Sequence, residues 1–113
     1  MRQETKQFFE KFNNYVAKMK DQASETVNGF AALFSKTMQD GALSVKEKEL
    51  VALGIATAQR CVPCIRLHVQ KSLDAGANKQ QILEAASVAV MMGGGPAYTH
   101  IPVVIDTLEA LQE

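Results

Sequence analysis

Apolar residues recur along this chain at three- and four-residue steps, in stretches separated by short polar or glycine-bearing breaks. Phe8, Phe12, Tyr15 or Val16, and Met19 predict a one-faced helix from about Glu4 to Lys20. Ala23, Val27, Phe30, Phe34 and Met38 predict a second from about Gln22 to Met38, across one unfavourable glycine, Gly29. Gln39-Asp40-Gly41-Ala42 reads as a turn. Ser44 and Glu47 have the spacing of a capping box, so a third helix begins there and runs to about Gln59. Its second half, from Leu50 to Ala58, is apolar nearly all round and is expected to be buried.

A fourth helix starts at or near Cys61 and ends before Gly76, which suits the C′ position. Asn78 and Gln81 repeat the capping pattern and open a fifth, which carries the apolar run from Ala85 to Met92. That run fits a strand by periodicity alone, but the upstream cap and the lack of any partner strand favour helix. Gly93-Gly94-Gly95-Pro96 ends it and starts the last helix, with Pro96 near N1 and Ile101, Val104, Ile105, Leu108 and Leu111 as the apolar stripe. The pattern predicts an all-α fold, a single domain over residues 1–113 with about six helices. So many apolar faces are difficult to bury within one short chain, which points to a homo-oligomer.

Composition narrows the function. Twelve basic residues balance twelve acidic ones, and no long run carries one sign, which argues against a nucleic-acid surface. No apolar run approaches the ~20 residues of a membrane span. The opening Met1-Arg2-Gln3-Glu4-Thr5-Lys6 leads into an amphipathic pattern instead of the apolar core of an export signal, so a cytoplasmic location is expected. Only two cysteines are present, at CxxC spacing; in a chain without an export signal they read as catalytic, redox or metal-binding.

The chemistry concentrates in Cys61-Val62-Pro63-Cys64-Ile65-Arg66-Leu67-His68. With Cys61 at the N-cap, Pro63 falls at N2, where a missing N–H costs nothing, and Cys64 falls at N3. Both sulfurs then sit at the positive end of a helix, which favours thiolate. His68 is one turn above Cys64, about 6 Å along the axis, and two turns above Cys61, about 10.5 Å. Cys64 is accordingly the inner, base-assisted thiol and Cys61 the outer one, facing a reductant; a different helix start or a bridging water would reverse the assignment. Glu49, at the edge of the buried face of the preceding helix, is the expected orienting group, in a Glu49–(water)–His68–Cys64 relay. Glu47 is the alternative, but the cap claims it.

Other meanings of CxxC fit less well. Covalent haem requires His directly after the second Cys, where Ile65 stands, and a thioredoxin fold requires a βαβ context. Zinc would take Cys61, Cys64 and His68 with Glu49, His100 or water. A structural zinc site usually joins two ligand clusters, and this chain has one, so no metal or other cofactor is expected. His100, beside Tyr98, is a minor site candidate. The triple glycine is followed by no GK[ST] and reads as cap and turn.

These residues resemble a known family. Leu43 to Leu53 with its Ser44/Glu47 cap and Glu49, then the CxxC and His68, then Ala75-Gly76-Ala77 and Gln81-Ile82-Leu83-Glu84, are similar to the core of the carboxymuconolactone decarboxylase superfamily. The CxxCxxxH form resembles its alkylhydroperoxidase D-like (AhpD-like) branch. The resemblance covers residues 43–96 and leaves the first two helices without a recognised motif. It implies an all-helical trimer or hexamer and a dithiol peroxidase cycle on Cys61, Cys64, His68 and Glu49, re-reduced by an external thiol donor, a protein or lipoyl dithiol. The well-studied peroxidase members carry a second His just before the inner cysteine; Pro63 stands there, which removes one link of their relay. The decarboxylase branch usually lacks the cysteine pair, so lactone decarboxylation is not expected. The expected activity is reduction of hydroperoxides. The alternatives are reduction of protein or lipoyl disulfides, and redox sensing without turnover.

Overall fold

The computed structural model describes residues 2–112; Met1 and Glu113, the outermost positions of the expected domain, lie outside the described residues. Every regular element among them is a helix: α1 (Arg2–Gln22), α2 (Ser24–Thr37), α3 (Val45–Ala58), α4 (Val62–Asp74), α5 (Lys79–Gly93), α6 (Gly95–Tyr98) and α7 (Ile101–Leu111). None is long and apolar enough to cross a membrane.

Local chemistry sets the boundaries. At the start of α3, the Glu47 N–H donates to Ser44 Oγ at 3.1 Å, and the Ser44 N–H donates to Glu47 Oε1 at 2.8 Å. Asn78 and Gln81 exchange the same pair of bonds at 2.9 Å each. Each cap satisfies two amides that the first turn of a helix cannot. The predicted last helix is two. Pro102 has no N–H to continue a helix from Pro96, so the chain restarts at Ile101 with Pro102 in the first turn of α7. The four-residue α6 is left behind it.

The core lies among α3, α4, α5 and α7. Leu53, Ile65, Val69, Ile82, Ala86, Val104 and Leu108 are buried together. Burial of each large aliphatic side chain contributes about 1.5–3 kcal/mol. Small residues let the helices approach closely: a Cβ added to Gly93 would stand 3.1 Å from the Ala97 Cβ and 3.7 Å from the Ala58 Cα.

The α1–α2 hairpin joins this unit differently. Thr5 is the buried residue of α1, and its hydroxyl donates to Asp106 of α7 at 2.6 Å, inside the protein. α2 buries no residue fully. Its far end is tied down by Lys48, whose Nζ donates to the carbonyls of Thr37 at 2.9 Å and Gln39 at 2.6 Å.

Two expectations about burial are corrected here. The second half of α3 is not buried all round: Leu53, Ala56 and Thr57 face inward, but Val51 and Ile55 remain more than half exposed. The stripe predicted for α2 does not all face the protein, for Phe30 is 65% exposed. Periodicity identifies an apolar face, but not what covers it. Val51 and Ile55 line an all-apolar groove with Leu50, Val88, Ala89 and Met92 between α3 and α5.

Candidate functional site

The site is built at the turn from α3 to α4. Two hydrogen bonds close the end of α3 as a Schellman motif: Arg60 N–H to Thr57 O at 3.1 Å and Cys61 N–H to Ala56 O at 3.0 Å. α4 ends in the same motif, with Gly76 N–H on Leu73 O and Ala77 N–H on Ser72 O. Both motifs need a left-handed residue. At α4 it is Gly76, at φ +96°; at α3 it is Arg60, at φ 58°. A side chain in that region carries a steric cost, which the bonds around Arg60 offset.

This turn delivers Cys61 directly to the N-cap of α4. Pro63 follows in the first turn, where no amide partner is missing. Cys64 at N3 donates its N–H to Cys61 Sγ at 3.3 Å. The two sulfurs are joined as a disulfide, with Cα atoms 5.2 Å apart. Both cysteines are half-buried.

Glu49 and His68 meet across the α3–α4 interface, Oε1 to Nδ1 at 2.7 Å. The contact is direct, where the sequence predicted a bridging water. Glu47 and Glu49 lie two residues apart, about 200° around the helix, so one serves the exposed cap while the other turns inward. Glu49 is 4% exposed, one turn before the core residue Leu53. A carboxylate only accepts hydrogen bonds, so beside it Nδ1 is the donor, and a neutral ring in that tautomer has Nε2 as its acceptor nitrogen.

A residue the motif did not reveal completes the surroundings of His68. Phe34 of α2 stacks on the imidazole, with centroids 6.1 Å apart and planes 18° from parallel. Lys71 of α4 places Nζ 5.0 Å from the centroid of the same phenyl ring. The apolar stripe of the second predicted helix contained Phe34, but nothing in the sequence ties residue 34 to residue 68. Arg60 was equally silent, because Gly is the usual signal for its position.

The remaining candidates fall elsewhere. His100 is the N-cap of α7, and its Nδ1 lies 2.7 Å from the Pro96 carbonyl, which fixes the α6–α7 corner. Among the described residues no group of three or more His, Cys, Asp or Glu is gathered as a metal-ligand set.

Comparison with known proteins agrees with this architecture. A family model for the carboxymuconolactone decarboxylase family matches residues 24–101, extending the similarity into α2 and as far as the start of α7. A Paracoccus denitrificans protein, uncharacterized protein 4 in the cox locus, is 36% identical over 84 residues, which are 74% of this chain and 76% of that one. The crystal structure of an apo carboxymuconolactone decarboxylase family protein from Legionella pneumophila superposes with a TM-score of 0.83 at 32% identity, over 96% of this chain and 95% of that one. A Thermotoga maritima protein superposes with a TM-score of 0.86 at 32% identity, over 95% and 94%. A second crystal structure of that Thermotoga protein gives 0.82 at 30% identity, over 92% and 89%, and describes it as a candidate for a part in an antioxidative response. With the helical architecture, the CxxC pair and a match over most of its length, this chain belongs to the carboxymuconolactone decarboxylase family.

Proposed function

We propose that this protein is a thiol-dependent hydroperoxide reductase working through a Cys61–Cys64 dithiol/disulfide cycle. The observation that carries the reading is the 2.7 Å contact between Glu49 Oε1 and His68 Nδ1, one helical turn from Cys64. Glu49 holds the imidazole in the tautomer whose Nε2 accepts a proton. In the reduced protein that nitrogen takes the Cys64 thiol proton, and the positive end of α4 favours the thiolate left behind.

The thiolate attacks the outer oxygen of the hydroperoxide. The O–O bond breaks, Cys64 becomes a sulfenic acid, and the alkoxide takes the proton held on His68 and leaves as an alcohol. Cys61 then attacks the Cys64 sulfur, an S–S bond forms, and water leaves with the Cys61 proton. Each turnover consumes one hydroperoxide and two thiols and yields alcohol, water and the disulfide. An external dithiol, protein-borne or lipoyl, reduces the disulfide by exchange and is itself oxidised. The Thermotoga neighbour's description supports an antioxidative setting. A cytoplasmic location, where thiol reductants abound, belongs to the same proposal.

One observation favours a second reading. Pro63 occupies the position where the better-known peroxidases carry a further histidine, and it supplies no proton carrier. A protein lacking that link serves equally as a reductase of protein or lipoyl disulfides, with the same thiols. Stopped-flow oxidation of the reduced protein by cumene hydroperoxide, with thiol counting, separates the two. Rapid loss of both thiols, abolished in Cys64→Ser, is the expected result. Negligible oxidation of the wild type would discard the peroxidase and leave the disulfide reductase.

The protein is further proposed to act as a homo-oligomer, a trimer or hexamer, with the α3–α5 groove as a subunit contact. Val51, Ile55, Val88, Met91 and Met92 on and beside that groove are each more than half exposed in the single chain. Apolar surface gathered in this way is usually covered by a partner. Light scattering of wild type and Val88→Glu checks it: a monomeric wild type would refute the assembly.

A further inference from the structure

A cleft of about 470 Å³ lies between the α1–α2 hairpin and α4. Phe12, Phe30, Phe34, Leu67, Gln70 and Lys71 form most of its lining. This volume falls within the ~300–1,000 Å³ of small-molecule sites. It adjoins the chemistry through Phe34, the ring that lines the cleft and also stacks on His68. Leu67 and His68 lie three and four residues beyond Cys64, and Lys71 lies four and three beyond them, so the face of α4 that carries the inner cysteine is continued by the cleft. Lys71 stands two turns beyond Cys64, about 10.5 Å along the axis.

The charge in this cleft is unbalanced. Lys71 is its lining cation, and no acidic residue lines it. Lys71 is half-buried as a residue, its ammonium rests against the Phe34 ring, and among the described residues no carboxylate pairs with it. A cation held against aromatic surface beside a reactive centre suits a ligand that is apolar along its length and anionic at one end.

We propose that this cleft binds the apolar chain of an anionic substrate, a medium-chain acid bearing the reactive group, with its acidic end on Lys71 and its reactive end toward Cys64. The assignment rests on the hydroperoxide reading for the reactive group, but not for the binding. The test is therefore made on the disulfide form, which needs no peroxide chemistry.

Sodium decanoate is titrated into the oxidised protein and followed by calorimetry and by amide and methyl resonances; decyltrimethylammonium is the charge-reversed control. Decanoate is expected to bind saturably and to shift Phe34, Leu67 and Lys71 while leaving Ile55 and Val88 of the α3–α5 groove unmoved. The ammonium analogue should bind at least tenfold more weakly. Lys71→Glu should weaken decanoate roughly tenfold or more, the size of one charge-assisted contact. Ala31→Trp, placed on the exposed lining of the cleft, should abolish binding with the helical circular dichroism intact. Absence of saturable binding, as when a second copy of the chain fills the cleft, would overturn the proposal. So would affinity that Lys71→Glu leaves unchanged, or shifts confined to the α3–α5 groove. Any of these would leave the dithiol cycle standing, whereas loss of peroxidase activity alone would leave the cleft standing.

Discussion

The α3–α4–α5–α7 unit and the α1–α2 hairpin are both built from helices with apolar stripes, yet they are held by different forces. In the unit the stripes meet one another, and Leu53, Ile65, Val69, Ile82 and Leu108 are essentially without exposure. In the hairpin Phe30, Leu33, Tyr15 and Met19 stay more than half exposed, and a buried hydrogen bond from Thr5 to Asp106 takes the place of a core. Similar periodicity therefore carries two meanings. In the unit it describes a scaffold that sets Glu49 against His68; in the hairpin it describes an outer wall, held mainly at its edges, that brings Phe34 to the same histidine.

The contrast predicts unequal responses to truncation. Leu53→Ala should cost about 3 kcal/mol, because the site is sealed on all sides and a cavity remains. Phe30→Ala removes a larger side chain and should cost about 0.5 kcal/mol or less, because that ring is already in water. Urea denaturation of the two variants decides it; equal losses would dissolve the distinction. Thr5→Val should cost about 2 kcal/mol by leaving the Asp106 carboxyl buried without its donor. Hydrogen exchange should show the loss in α1 and α2 before α4.

The same contrast governed what could be read in advance. The caps at Ser44 and Asn78, the N-cap position of Cys61 and the C′ position of Gly76 were legible, since each is fixed by residues within five positions of one another. The pairing of Glu49 with His68 was legible because a short turn forces α3 against α4, although the direct contact was not foreseen. Phe34 against His68 was not legible: it depends on how the hairpin folds back, which no local pattern encodes. Nor was the exposure of Val51 and Ile55, since a wholly apolar helix looks the same beside a core and beside a subunit contact.

The two Schellman turns sharpen the comparison within the scaffold itself. Gly76→Ala should cost about 1 kcal/mol, the penalty for a side chain at positive φ. Arg60→Gly relieves that penalty while loosening the unfolded chain, and should raise stability by about 0.5 kcal/mol. Thermal melts of the pair should move in opposite directions.

The smallest effect belongs to the cap of α3. Hydrogen bonds from the Ser44 backbone and side chain, then weakly the charge of Lys46, hold the Glu47 carboxyl below its ordinary value of 4.5. A folded pKa below the unfolded one means the cap is fully stabilising above about pH 4.5 and is lost as pH falls through the lower folded value. Acid unfolding of Glu47→Gln, which keeps the capping geometry, should lack that increment. A wild-type curve superposing on the variant's would exclude it.

The central claim is that His68, held by Glu49, activates the dithiol. Its most direct test is the alkylation rate of the reduced protein by iodoacetamide at pH 7, in wild type, His68→Ala and Glu49→Gln. Loss of the base should slow the reaction about 100-fold, and loss of its orienting carboxylate about tenfold. Rates unchanged in both variants would contradict the account.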